Sequence, residues 1–273
     1  MSKEKKEKFD YETKLWGASK VRLSPTYLGA LRLKYCLEDL KRIKGKVLEV
    51  GCGGGGIAKA IKFYRSDLEV YGCDISRKAI RAARKRPEGV KFVVGDASHL
   101  PFENEFFDGV ISFDFLEHLE EPKKALREIY RVLKPGGIFH SYVPCEGSFW
   151  TLHGILTMFG WRAKEKYGGH FQGFTYKQLV DILKTAKLSV VKMRWNAHFF
   201  NQLVDVFYFS LLSLRGKKVP FSVETYLEEA KPSFYRQGLQ VLKTIIALIS
   251  YAESKFLSGF PGAGVHFLAI KKR

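Results

Sequence analysis

The chain has 273 residues, of which 46% are hydrophobic and 27% charged, and its formal net charge is +18 at pH 7. This composition excludes an intrinsically disordered protein and is typical of one large domain, or of a core domain with an elaborated insert. The positive charge favours contact with an anionic surface, either nucleic acid or acidic lipid, and carries no information about the fold.

Short apolar runs alternate with amphipathic helical patterns along most of the chain. A charged arm over residues 1–23 precedes a helix that we expect to begin at Ser24-Pro25 and to end near Lys44. Strands are predicted at 46–50, 68–74, 90–96, 107–114, 138–143, 188–195 and 264–272, and helices at 57–64, 75–86, 120–134 and 176–187. This alternation predicts an α/β fold, a doubly wound and mostly parallel sheet with helices on both faces.

Two stretches interrupt the alternation and define the expected domain organisation. We expect residues 1–44 to form an N-terminal arm and helix, and residues 45–197 to form a ligand-binding core with a lid-like segment at 145–174. Residues 198–260 are expected to be a helical hydrophobic insert, followed by the last core strand in 261–273.

The cysteines and histidines show neither a disulfide framework nor a metal-binding motif. The four cysteines include no CxxC pair, and the run MSKEKKEKFDYETK has no apolar segment typical of a secretory leader. We therefore expect a reducing, cytoplasmic location with packed thiols. The seven histidines include no HExxH-like pair, so the sequence predicts no metal site.

The glycine-rich stretch VLEVGCGGGGIAKAI joins the first predicted strand to its helix and predicts a ligand site. Its spacing fits two ligands: Gly51, Gly53 and Gly56 match the GxGxxG of dinucleotide sites, whereas Gly51, Gly53 and Gly55 match the GxGxG of S-adenosylmethionine sites. Glu49 favours the second ligand, because a fixed carboxylate would repel a pyrophosphate but attract the α-ammonium of a methionine moiety. A solvated carboxylate at the strand end is the alternative for Glu49.

Five ordered motifs carry a resemblance to a known family. They are VLEVGCGGG, YGCDIS, VVGDASHLPF, FDGVISFDFLEHLEEP and RVLKPGG, over about residues 45–145, with a weaker likeness to residue 196. In this order they resemble the class I S-adenosylmethionine-dependent methyltransferases, in particular the small-molecule and lipid branch with a quinone-methyltransferase-like core. The resemblance implies methyl transfer, S-adenosylmethionine as the cofactor, and a seven-stranded Rossmann-like sheet whose last strand is antiparallel.

The resemblance also implies residues that would hold the nucleoside of the cofactor. Asp74 would bind the ribose diol, and Ile75 would lie against the adenine. Asp96 would accept a hydrogen bond from the adenine amino group, and the backbone N–H of Ala97 would meet a ring nitrogen.

The methionine part and the reacting methyl group would be bordered by a second set of residues. By the resemblance, the methionine part would contact Glu49, Gly51, Gly53 and Gly55. Phe113 and Asp114 would lie near the reacting methyl group.

The sequence does not identify a catalytic base. Methyl transfer from a sulfonium needs mainly alignment and exclusion of water, and a base is required only when the acceptor is protonated. His170, in GGHFQGFT before the sixth strand, is a weak candidate for a catalytic side chain.

Three apolar stretches bear on the acceptor, and all lie in the lid-like segment or the insert. FWTLHGILTMFGWRAKEK combines aromatic residues with adjacent cations, as does a helix in a membrane interface, and residues 199–214 and 239–255 are also rich in apolar residues. A peripheral cap on the inner face of an anionic membrane and an ordinary lid or dimer face are equally favoured. Both predict a small or lipid-like hydrophobic acceptor, such as a quinone or isoprenoid precursor.

Two other function classes remain open at the level of sequence. The basic charge would suit an RNA-modifying methyltransferase, although the lysines and arginines are dispersed and nucleic acid is therefore the less favoured partner. The GxGxxG spacing would suit an oxidoreductase with an NAD-type dinucleotide.

Overall fold

A seven-stranded sheet forms the centre of the computed structural model, which describes residues 21–27, 29–215 and 234–272. The strands are β1 Lys46–Val50, β2 Glu69–Asp74, β3 Lys91–Val94, β4 Phe107–Phe113, β5 Leu133–Pro144, β6 Leu188–Asn196 and β7 Gly264–Lys271. Their order is β3-β2-β1-β4-β5-β7-β6. All seven predicted strands are present, and residues 1–20 of the predicted arm lie outside the described residues.

The strand directions agree with the predicted doubly wound, Rossmann-like α/β fold. β1 to β5 pair in parallel, whereas β7 runs antiparallel to both of its neighbours, β5 and β6. The antiparallel last strand implied by the family resemblance is therefore confirmed.

Nine helices lie within the described residues. They are α1 Ala30–Asp39, α2 Gly56–Tyr64, α3 Arg77–Arg84, α4 Pro122–Val132, α5 Leu152–Met158, α6 Ala163–Gly168, α7 Tyr176–Thr185, α8 Phe199–Arg215 and α9 Phe234–Phe256. The predicted start of the first helix at Ser24 is wrong. The Tyr27 N–H donates to the Ser24 carbonyl oxygen at 2.9 Å, so Ser24-Pro25 begins a tight turn, and α1 begins at Ala30. α1 also ends before Lys44, because Leu40–Arg42 form a 3₁₀ turn.

Hydrophobic cores cover both faces of the sheet. Successive β1 residues face opposite sides: Leu48 belongs to the core that contains Leu126 of α4, and Val47 to the core that contains Ile61 of α2. Strands buried on both faces explain the continuous apolar runs of the sequence. A ligand therefore has access mainly at the carboxyl edge of the sheet, where the strand-to-helix loops lie.

The segments that interrupt the α/β alternation form a helical layer. α5 and α6 follow β5, and α8 and α9 lie between β6 and β7. α8 packs on both α5 and α6, and Glu253 of α9 accepts a hydrogen bond from the Phe200 N–H at 2.8 Å. Residues 216–233 of the predicted insert lie outside the described residues. Within the ranges that the structure describes, no helix combines the length and apolarity needed to cross a bilayer.

Candidate functional site

The strand registers bring three loops to one place at the carboxyl edge of the sheet. Val50 of β1 pairs with Cys73 of β2, and Asp74 pairs with Val94 of β3. The N–H of Gly51 donates to the Cys73 carbonyl oxygen at 2.8 Å. The glycine loop, Asp74 and the turn that follows β3 therefore lie side by side.

The glycine loop contains positions whose backbone conformation strongly favours glycine. Gly51, Gly53 and Gly55 all have positive φ, at 73°, 49° and 78°. A Cβ atom would also lie 2.4 Å from the ring of Phe115 at Gly51, and 2.4 Å from the ring of Phe92 at Gly55. The conformation of the loop therefore favours glycine at these positions, in addition to any role of the glycines in ligand binding.

Glu49 lies beneath this loop and is only 4% exposed. Its Oε2 accepts a hydrogen bond of 2.8 Å from the N–H of Ala58, in the first turn of α2. Burial raises the pKa of Glu49 to about 8, and the negative charge of Asp74 adds to the effect. No residue in the described ranges forms an ion pair with Glu49. The alternative of a solvated carboxylate is therefore wrong, and the buried acid is suited to a cationic ligand.

The residues expected to hold a nucleoside lie at the ends of β2 and β3. The carboxylate of Asp74 accepts hydrogen bonds from the N–H groups of Gly53 at 2.8 Å and Ser76 at 2.9 Å, which fixes its position against the loop. Ile75 is exposed next to it. Asp96 is exposed and accepts from the Ser98 N–H at 2.8 Å. Ala97, the next residue, is buried.

The end of β4 differs from the expectation in the orientation of its aromatic side chain. The ring of Phe113 is buried in the core, with its centroid 5.6 Å from that of His140. Phe115 is the aromatic residue that packs against Gly51, and sequence reasoning did not select it.

Asp114, which follows β4, is paired with a residue that the sequence motifs did not indicate. It has a φ of +44° and forms a 2.6 Å ion pair with Arg32 of α1. The guanidinium of Arg32 lies 4.5 Å from the centroid of the Tyr142 ring. No motif marks Arg32, because it lies in a helix that precedes the whole α/β core.

A partly buried ionic group joins the lid-like segment to the core. Lys164 of α6 forms ion pairs with Glu146, which follows β5, and with Asp205 of α8. Burial by itself would raise the pKa of Glu146, but the charges of Lys164 and His170 hold it well below its ordinary range. These residues come from distant segments with no shared motif, so sequence analysis could not group them.

His170, the weak catalytic candidate, lies beside this group. Its Nδ1 lies 3.2 Å from Oε2 of Glu146, and its ring centroid lies 4.8 Å from that of His118. Nδ1 of His118 donates to the Gly169 carbonyl oxygen at 2.9 Å, and burial, with the neighbouring His170, lowers the pKa of His118 to about 3. The ring of His118 is therefore neutral.

Glu117, the neighbour of His118, is completely buried. Neither of its carboxylate oxygens has a hydrogen-bond partner. Burial, and then the charge of Asp114, raises the pKa of Glu117 well above its ordinary range.

Comparison with known proteins identifies the central part of this architecture. Residues 48–141 match the family described as a methyltransferase domain. The chain is 38% identical over 96 residues to the phthiotriol/phenolphthiotriol dimycocerosates methyltransferase of Mycobacterium tuberculosis, which covers 34% of this chain and 36% of that protein. It is 39% identical over 93 residues to the demethylmenaquinone methyltransferase of Thermotoga maritima, covering 34% of this chain and 40% of the relative. The matched stretch thus spans little more than a third of these curated relatives.

The structural similarity to known methyltransferases extends beyond residues 48–141, the stretch that the family match covers. Phosphoethanolamine N-methyltransferase 2 of Haemonchus contortus, solved in complex with S-adenosyl-L-methionine, superposes with a TM-score of 0.58 at 20% identity. The superposition covers 89% of this chain and 53% of that one. The family match agrees with the confirmed antiparallel last strand and with the glycine loop that covers Glu49, and residues 48–141 constitute a class I S-adenosylmethionine-dependent methyltransferase domain.

Proposed function

We propose that this protein transfers the methyl group of S-adenosylmethionine to a small or lipid-like hydrophobic acceptor. The observation that carries the proposal is Glu49, a buried carboxylate with no cation beside it among the described residues, under a loop of bare backbone amides. A pyrophosphate would favour the protonated, neutral form of this group, with which it forms no ion pair, whereas a ligand ammonium would favour its ionisation and pair with the carboxylate.

In this proposal the methionine part of the cofactor is bordered by the strand end and its loop. The residues are Glu49, Gly51, Gly53 and Gly55. The bound cofactor supplies an electrophilic methyl group on a sulfonium. The protein holds it in line with the acceptor and excludes water.

The nucleoside is proposed to lie across the next two strand ends. Asp74 is already fixed by two backbone N–H groups, so its carboxylate is preorganised for the ribose diol. The exposed side chain of Ile75 would be covered by the adenine. Asp96 and the backbone N–H of Ala97 would bind the adenine edge. For Phe113, whose ring is buried, the proposal is restricted to its backbone at the edge of the site.

Calorimetry with the purified chain tests the cofactor. We expect heat of binding with S-adenosylmethionine and with its demethylated product, and none with NAD or NADH. Binding of a nicotinamide dinucleotide in the absence of any response to S-adenosylmethionine would refute the proposal.

The hydrophobic acceptor is supported by the exposed surface of the helical layer. Large apolar side chains are exposed on and beside α5, α8 and α9. They include Phe149, Met158, Phe159, Phe199, Phe207, Leu214, Val241, Leu242, Ile245 and Phe256. Such concentrations of exposed apolar surface mark lipid, ligand or protein contacts. The names of the two relatives specify a dimycocerosate and demethylmenaquinone, both hydrophobic molecules.

We further propose that this apolar surface lies against an anionic membrane, where the charge of +18 would assist attraction. Flotation with anionic liposomes at low salt should carry the protein to the top of a gradient, and neutral liposomes should carry less. The double substitution Met158→Glu with Phe159→Glu should abolish flotation. Phe63→Glu, on α2 outside this surface, is the matched control because Phe63 is 77% exposed.

Three outcomes would count against the membrane part. The wild-type chain could remain at the bottom of the gradient at low salt, or the double variant could float as well as the Phe63→Glu control. A salt-sensitive gel shift with bulk transfer RNA, without flotation, would instead support a nucleic-acid partner.

A further inference from the structure

Three side chains from two distant segments converge beyond the carboxyl end of β4. Glu117 and His118 lie in the turn before α4, and His170 lies just before α7. One ligand-type atom of each residue lies within 4.8 Å of the corresponding atoms of the other two. No local histidine motif marks this group, because more than fifty positions separate His170 from Glu117 and His118 along the chain.

Glu117 requires an explanation that the rest of the fold does not provide. It is 0% exposed, and neither carboxylate oxygen has a hydrogen-bond partner. Buried polar atoms are almost always paired, so an unpaired carboxyl group in a buried position indicates a missing partner. A cation would be such a partner.

Both histidines are oriented through one ring nitrogen. Nδ1 of His118 donates to the Gly169 carbonyl oxygen, since a carbonyl oxygen can only accept. Nδ1 of His170 faces Oε2 of Glu146, which likewise accepts. An imidazole with its proton on Nδ1 carries its lone pair on Nε2 when it is neutral. Histidines that bind metals are held in this way, by a carbonyl or carboxylate on the nitrogen opposite to the metal.

A second group provides an internal comparison. Glu146, His153 and Asp205 also approach one another closely enough to hold an ion. There, however, Lys164 already forms ion pairs with both carboxylates and supplies the positive charge. Glu117 has no such ion pair within the described part of the chain.

We propose that Glu117, His118 and His170 bind a first-row divalent cation such as Zn²⁺ or Fe²⁺. Two imidazoles and one carboxylate suit these ions better than Mg²⁺ or Ca²⁺, which prefer oxygen ligands. Three protein ligands leave further positions for water or for an oxygen atom of a bound molecule. Both histidines are partly exposed, which provides a route for the ion. This inference revises the sequence prediction of no metal site, and it does not depend on the proposed methyl transfer.

Titration with Co²⁺ tests the site directly, because its visible absorption reports nitrogen and oxygen ligands. The full-length chain, treated with a chelator and then dialysed, should bind one Co²⁺ with a visible band, and Zn²⁺ should displace it. Glu117→Gln and His170→Ala should each lose the band. Glu146→Gln should weaken Co²⁺ binding by about 10–100-fold, since it removes the group that orients His170.

Matched variants separate this site from nonspecific binding and from misfolding. His99→Ala and Glu120→Gln alter exposed residues outside the three ligands and should keep the band. Circular dichroism of each metal-free variant checks the fold. His170→Ala, which is the less buried change, keeps the test valid if Glu117→Gln does not fold.

The result can overturn the proposal in two ways. The folded wild-type chain could show no Co²⁺ band, or folded His170→Ala could bind Co²⁺ as well as His99→Ala. If the chain binds Co²⁺ but not S-adenosylmethionine, the metal site is upheld and the proposed function is refuted. If it binds S-adenosylmethionine but not Co²⁺, the metal site is refuted and the proposed function is upheld.

Discussion

Glu49→Gln is the substitution that most directly tests how the protein would bind a cationic cofactor. Burial raises the pKa of Glu49 from 4.5 to about 8. Ionising this carboxyl in the folded, ligand-free protein therefore costs up to about 5 kcal/mol more than ionising a solvated one. With that pKa, roughly nine of ten free molecules carry the proton near pH 7.

A bound ammonium group reverses this balance, because a neighbouring positive charge favours the carboxylate. We therefore expect binding of S-adenosylmethionine near neutral pH to release close to one proton from the wild-type chain. Glu49→Gln has no proton to release at this position. Its amide oxygen can still accept the hydrogen bond from Ala58, so the loop should keep its conformation. The loss of charge should weaken binding by about 10–100-fold, or about 1.4–2.7 kcal/mol.

Isothermal titration calorimetry in buffers with different ionisation enthalpies measures the proton directly. Methylthioadenosine, which lacks the ammonium group, is the control ligand and should bind both proteins alike without proton release. Glu103→Gln, an exposed residue before β4, is the control variant. The reasoning is refuted if Glu49→Gln releases as many protons as the wild type, or if the wild type binds the cofactor firmly and releases none.

Three further predictions concern stability, each measured by chemical denaturation. Because the pKa of Glu49 is raised, the folded chain keeps a proton that the unfolded chain loses between pH 4.5 and about 8. The free energy of unfolding should therefore fall as the pH rises through this range. Glu49→Gln should lack this contribution, and a variant with the same pH dependence as the wild type would contradict the burial argument. Gly55→Ala should destabilise the fold by about 1–3 kcal/mol, because Gly55 has a positive φ and an added Cβ would contact the ring of Phe92. Gly54→Ala is the control and should cost about 1 kcal/mol or less, because no atom lies within 4 Å of its added Cβ. Equal losses of stability in the two variants would refute this contrast. Lys164→Met leaves the carboxylates of Glu146 and Asp205 without their shared cation. It should cost about 1–3 kcal/mol, because Asp205 is 39% exposed and solvent screens part of the loss. The exposed control Lys166→Met should change little, and an equally stable Lys164→Met would show that the ion pairs contribute nothing.

The core of the fold was predictable because its signals are local. A strand covered on both faces is mostly apolar, and KVLEV has this property apart from Lys46 at its start and Glu49 near its end. The boundary of α1 was not predictable, because Ser-Pro is compatible with the start of a helix and with a tight turn. Only the packing of the following residues distinguishes the two.

The candidate site likewise has features that the sequence predicts and features that it does not predict. Glu49, the loop glycines, Asp74 and Asp96 lie at or just beyond the carboxyl ends of β1, β2 and β3. These ends are neighbours in the sheet, so the proximity of the residues follows from the topology that the motifs imply. The direction of individual side chains does not follow from it. Phe113 points into the core, and Phe115, two positions later, packs against the glycine loop.

The sequence by itself determined the α/β alternation, the order of the ligand-binding motifs and the acid that accompanies the glycines, because each of these depends on neighbours within a few positions. Only the tertiary structure decided that Glu49 is buried, that Lys164 joins the lid to the core, and that Glu117 meets His170. Burial and the approach of distant residues depend on how α5, α6 and α8 pack over the sheet edge. The packing of these helices is set by contacts between segments that are far apart in the chain.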